Sequence, residues 1–153
     1  MKIGVVGFSK RQFDQKTARA LLKNEISGIM SKTDSSNIEV VSGLTNTGVP
    51  KIAYEIAVEL GLTTVGISTK RALSVRSGIF PCDKQIIVGT NFGDESDTFI
   101  EYIDYLIRIG GGPQSRKEVT MFKDNKQLSY SELSNRLIEH EVEWYGPPKR
   151  YTT

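Results

Sequence analysis

The chain has 153 residues, 38% hydrophobic and 25% charged, which suits a globular protein with a proper core. Its 20 Lys and Arg against 18 Asp and Glu leave +2, too small a surplus to specify a nucleic-acid partner. Cys82 is the single cysteine and His140 the single histidine, which excludes an internal disulfide and a zinc site of the usual kind.

Ile3-Gly4-Val5-Val6-Gly7 reads as a buried strand, followed by a turn at Phe8-Ser9-Lys10-Arg11. Ala18, Leu21, Leu22, Ile26, Ile29 and Met30 then recur at helical spacing. Ile38-Glu39-Val40-Val41 is a second strand, ending in the hydroxyl- and glycine-rich run Ser42-Gly43-Leu44-Thr45-Asn46-Thr47-Gly48. Ile52, Ala53, Ile56, Ala57 and Leu60 mark a helix, with Pro50 in its first turn and Gly61 at its end. Thr64-Val65-Gly66-Ile67-Ser68 is a third strand, residues 69–84 a basic link, and Gln85-Ile86-Ile87-Val88 a fourth strand. The acids Asp94, Glu95 and Asp97 suit the start of a helix carrying Phe99, Ile100 and Ile103.

Residues 105–109 form a fifth apolar strand that runs into Gly110-Gly111-Gly112-Pro113-Gln114-Ser115-Arg116-Lys117-Glu118. A short helix is expected over residues 115–122. Ser129 and Glu132 have the spacing of a capping box and predict a last helix carrying Leu133, Leu137 and Ile138. His140 falls in that helix and is assigned no role. Residues 144–153, with Pro147-Pro148, read as an irregular tail. No apolar run approaches the roughly 18 residues of a membrane span. The chain enters its first strand without a signal-peptide pattern, and a cytoplasmic location is expected.

Strands alternating with helices imply an α/β, Rossmann-like, three-layer fold. The expected sheet is mostly parallel, of five or six strands, with helices on both faces. Residues 1–143 form the expected domain and 144–153 its tail. Ligands of such sheets bind at the carboxyl ends of the strands. Three strand ends should converge there: Gly7-Phe8-Ser9, the run from Ser42 to Gly48, and the run from Gly110 to Ser115.

The glycine cluster is the most specific signal. A strand, then glycines, then a helix start offers unpaired amides and a positive dipole end to a phosphate. The alternative is a plain tight turn. Thr45, Asn46, Thr47 and Gly48 can hold a phosphate or ribose, or Asn46 or Thr47 can simply cap the following helix. Glu118, one turn beyond Ser115, can hydrogen-bond a ribose, act as acid or base, or be a surface glutamate. Asp94, Glu95 and Asp97 can bind Mg²⁺ or only start their helix. Lys70, Arg71 and Arg76 can form a basic lip or be solvated, and Cys82 reads as a passive thiol.

These residues resemble a known superfamily. Gly111-Gly112-Pro113-Gln114-Ser115-Arg116-Lys117-Glu118 is similar to the GGxGTxxE motif of the LOG phosphoribohydrolases, and Asp104-Tyr105-Leu106-Ile107 resembles the lead-in to it. Val41-Ser42-Gly43 onward to Ala57 resembles the SGxxTGxDxxA region of molybdenum cofactor carrier proteins and the VVSGLAxGID region of DprA. Phe80-Pro81 and Ile86-Ile87-Val88-Gly89 are similar to DprA's FPxRNRIIAG. All belong to the SLOG superfamily of Rossmann-like nucleotide-ligand folds. The resemblance implies a nucleotide or nucleotide-derived phosphate ligand, held by Gly7, Phe8, Ser9, Ser42, Gly43, Thr45, Asn46, Thr47, Gly48, Gly111, Gly112, Pro113, Gln114 and Ser115. It also implies a homodimer or larger homo-oligomer. The LOG enzymes pair the motif glutamate, here Glu118, with the arginine of an HERK-type motif. That arginine position falls on Glu95, which reverses the local charge. The resemblance therefore implies a binding domain without the full catalytic pair. Its alternatives are a nucleoside 5′-monophosphate phosphoribohydrolase using Glu118 and a DprA-like single-stranded DNA binder.

Overall fold

The computed structural model describes residues 1–10 and 12–145; Arg11 and the Pro147-Pro148 end of the expected tail lie outside them. In chain order the elements begin with β1 (Lys2–Gly7), β2 (Gln12–Phe13), α1 (Gln15–Met30), β3 (Glu39–Ser42), α2 (Gly48–Glu59), β4 (Thr63–Ser68) and β5 (Lys84–Ile87). They continue with α3 (Ser96–Tyr102), β6 (Tyr105–Ile109), α4 (Pro113–Asn125), α5 (Tyr130–Arg136), β7 (Leu137–His140) and β8 (Trp144–Tyr145). Six strands form one sheet in the order β5-β4-β3-β1-β6-β7, and every pairing in it is parallel.

The central strands are apolar on both sides because both sheet faces are covered. Ile3, Val5, Val40 and Ile107 pack on one face with Leu22 and Ile26 of α1 and Ile52 and Ile56 of α2. Val6, Val41, Val65 and Leu106 pack on the other with Phe99 of α3 and Val119 and Phe122 of α4. Each buried Leu, Ile, Val or Phe is worth roughly 1.5–3 kcal/mol, so these two layers carry the fold.

From β1 the chain fills the sheet outward through β3 and β4 to β5, then returns to place β6 on the other side of β1. The switch in direction therefore lies between β1 and β6, where such sheets leave a crevice. The two strand ends meet in register, Gly7 beside Ile109. An added Cβ at Gly7 would sit 2.2 Å from the carbonyl oxygen of Ile109, so only glycine lets the strands end together.

The last expected helix is corrected. Its capping box is present at Ser129 and Glu132, but α5 stops at Arg136 and Leu137–His140 forms β7 against β6. Leu137 packs against the α3–α4 side and Ile138 against the α1–α2 side. That is strand alternation, and completing the sheet edge overrides the helical spacing from Leu133. His140 consequently lies on β7, its Nε2 3.4 Å from Oε2 of Glu25 on α1. The expected tail also begins differently, since Trp144–Tyr145 pairs antiparallel with Gln12–Phe13. Among the described residues no helix is long and apolar enough to cross a membrane.

Candidate functional site

A cavity of about 200 Å³ opens at the carboxyl ends of β1, β3 and β4, beside the first turn of α4. Gly7, Ser9, Ser42, Gly43, Thr45, Gln114, Ser115 and Glu118 line it, so the three expected strand ends do converge. Phe8, Asn46, Thr47, Gly48, Gly111, Gly112 and Pro113 are not on its wall. Phe8 is buried beside Phe13, with ring centroids 5.5 Å apart, and its carbonyl accepts the amide of Val49 at the start of α2. Thr47 occupies the cap position of α2 but its side chain makes no capping bond.

The glycine cluster has a packing reason of its own. Gly110 has φ +61°, and a Cβ there would meet the Phe8 ring at 2.2 Å. Gly111 has φ +101°, and a Cβ there would lie 2.7 Å from the Ser115 side chain. This loop folds tightly under α4 and delivers its N-terminus to the crevice. The helix closes its first bond from the Arg116 amide to the Gly112 carbonyl at 3.2 Å. The amides of Gln114 and Ser115 precede that bond, and Pro113 has no amide proton to satisfy. Ser115 is buried and its hydroxyl donates to the Gly7 carbonyl at 3.4 Å, joining α4 to the end of β1.

One wall of the cavity is acidic. Glu118 on α4 and Glu95 before α3 are each only 6% exposed. The Ser96 hydroxyl donates to Oε2 of Glu118 at 3.4 Å. The Gly93 amide donates to Oε2 of Glu95 at 3.1 Å, and the Gln114 side-chain amide to Oε1 at 3.2 Å. Burial, joined by the charge of Glu95, pushes the Glu118 carboxyl up to about 8, so it keeps its proton at neutral pH. Glu95 is the residue standing at the expected arginine position, and it does face Glu118's surroundings from the cavity wall. Asp94 does not join it. Its carboxylate accepts the amides of Thr90 and Asn91 at 3.1 and 3.0 Å. Among the described residues no cluster of three His, Cys, Asp or Glu is placed to hold a metal ion, so the Mg²⁺ reading of Asp94, Glu95 and Asp97 finds no such geometry. Lys70, Arg71 and Arg76 are exposed and off the cavity wall, whereas Lys10 is on it.

Sequence reasoning missed several residues. Lys10, Ser68, Phe92 and Glu95 as a wall residue come together only through the tertiary fold. Arg108 was hidden inside an apolar strand. It is 4% exposed, and its Nη1 donates to the Gly110 carbonyl at 2.7 Å. Its Nε and Nη2 donate to Glu139 at 2.8 Å and Glu141 at 2.6 Å, and Arg116 joins Glu141 at 3.0 Å. The Arg108 bond, with Arg116 beyond it, holds the Glu141 carboxyl at about 2 against partial burial. This network ties the glycine loop to β7 from beneath.

The fold and its crevice define a class: a parallel, Rossmann-like α/β sheet with a cavity at the carboxyl ends of β1, β3 and β4. Solved structures place the fold among particular proteins. The molybdenum cofactor carrier protein of Chlamydomonas reinhardtii shares it with a TM-score of 0.65 at 19% identity, over 90% of this chain and 88% of that one. The molybdenum cofactor binding protein of Rippkaea orientalis gives 0.66 at 16% identity, over 92% and 89%. The structural-genomics target TM1055 gives 0.62 at 17% identity, over 92% and 91%. At these identities the likeness is one of fold. Neither a protein-family model nor a curated protein matches the sequence.

Proposed function

We propose that this protein binds a nucleotide or nucleotide-derived phosphate ligand in the crevice between β1, β3 and α4. The observation that carries the reading is the placement of the Gln114 and Ser115 amides. They stand ahead of the first helical bond of α4, and both residues line the cavity at the carboxyl ends of β1, β3 and β4. Lys10 supplies a cation to the same wall; Ser9 also lines it, as do Ser42 and Thr45, whose hydroxyls donate to the Val5 carbonyl at 2.7 Å and the Gly43 carbonyl at 3.5 Å. The proton on Glu118 removes a charge that would otherwise repel the phosphate. The reading takes residues 1–143 as the binding unit. It also takes from the family resemblance a homo-oligomeric, cytoplasmic protein.

A binding role suits this wall better than hydrolysis by the LOG pair. Among the described residues that line it, Lys10 is the one cation, and no arginine faces Glu118. Titration calorimetry with nucleoside monophosphates and inorganic phosphate tests the proposal. Saturable binding is expected, and Gln114→Glu, which adds a carboxylate at the first turn of α4, should weaken it about tenfold or more. Unchanged binding in that variant would contradict the proposed seat. Release of free base from AMP would contradict the binding-only role.

A further inference from the structure

The cavity's amides and Lys10 suit an anion, but the same wall carries two buried carboxyls that do not. Among the described residues neither Glu95 nor Glu118 forms an ion pair with Lys or Arg. Glu95 receives one protein donor on each oxygen, which leaves each with a further lone pair. Glu118 receives only the Ser96 hydroxyl on Oε2, and among the described residues nothing donates to its Oε1. The spare lone pairs of Glu95 call for donors and the protonated carboxyl of Glu118 for an acceptor, and the cavity that both residues line is their open side. Phe92 lines the same cavity while remaining 42% exposed, which leaves an aromatic ring open to a ligand.

We propose that Glu95 and Glu118 form a head-group subsite for the hydrogen-bond-donating edge of a planar heterocycle, with Phe92 as its stacking face. The proposal rests on the phosphate-ligand reading above and adds the chemistry of the ligand's other end. A ring N–H or amino group gives its hydrogens to Glu95. A ring carbonyl next to it accepts a hydrogen bond from the carboxyl that Glu118 keeps protonated at neutral pH. A head group that is anionic, or that presents only acceptors, leaves the carboxylate of Glu95 facing a like partner and is rejected.

Calorimetry at neutral pH tests this with three probes. Guanosine 5′-monophosphate offers a ring N–H and an amino group beside a carbonyl. Xanthosine 5′-monophosphate carries an oxo group where that amino group stands. Ribose 5-phosphate has no head group. The guanosine nucleotide should bind about tenfold or more tighter than either of the others. Glu95→Gln should bring the two nucleotides within about threefold of each other. Phe92→Ala, at an exposed position, should weaken both nucleotides toward ribose 5-phosphate. Equal binding of all three probes to the wild type, or full preference retained in Glu95→Gln, would overturn the subsite and leave the phosphate reading standing. Absence of binding by all three would overturn both.

Discussion

An added methyl at Gly7 would press on the Ile109 carbonyl, which belongs to the sheet and cannot turn away. Gly7→Ala should therefore cost about 3 kcal/mol, read as a lower denaturation midpoint in urea, because the strand ends must part. Glu118 makes a different prediction. Its folded value of about 8 lies above the ordinary 4.5, so the native state holds a proton that the unfolded chain has released. The stability it contributes is fully present below about pH 4.5 and is lost as pH rises through about 8. Melting curves should show the wild type losing a few kcal/mol across that window. Glu118→Gln, which copies the protonated acid, should flatten the loss. A variant as pH-sensitive as the wild type would contradict the assignment of this proton.

The β6–β7 pair and the loop beyond it behave as one piece. Arg108 holds the Gly110 carbonyl, Glu139 and Glu141 together, while the Gly110 amide donates to the His140 carbonyl at 2.7 Å. Arg108→Met keeps the stem but strands Glu139 and leaves Glu141 to Arg116 alone. It should cost about 2 kcal/mol, discounted for the exposure of Glu139 and Glu141, and should also weaken phosphate binding by loosening α4's start. Urea melts and calorimetry on the same variant check both effects. The elements differ in how far they were legible. β1, β3, β4 and β6 announce themselves because strands buried on both faces are continuous apolar runs. β7 does not, because Leu133, Leu137 and Ile138 satisfy helical spacing while Leu137 and Ile138 also satisfy alternation. Only the open edge of β6 decides between them.

For the whole molecule, the strand order explains why residues far apart in sequence share one cavity. Gly7, Ser42, Ser115 and Glu118 were legible as candidates because each follows a strand end or sits one helical turn from it. Lys10, Phe92 and Glu95 were not, since a turn lysine, a loop aromatic and a helix-start acid acquire their meaning only when the ends of β1, β3 and β4 and the start of α4 come together around the crevice. The glycine motif fits either a phosphate cradle or a plain tight turn, and Gly110 and Gly111 answer first to Phe8 and Ser115. A ligand at about a hundred times its Kd should stabilise the fold by about 2.7 kcal/mol, visible as a rise in Tm. The most direct measurement is an amide NMR titration with guanosine 5′-monophosphate. The largest shifts are expected at Gln114 and Ser115, with Gly7, Ser9 and Gly43 moving alongside them. Shifts confined to residues outside the crevice, or none at saturating nucleotide, would contradict it.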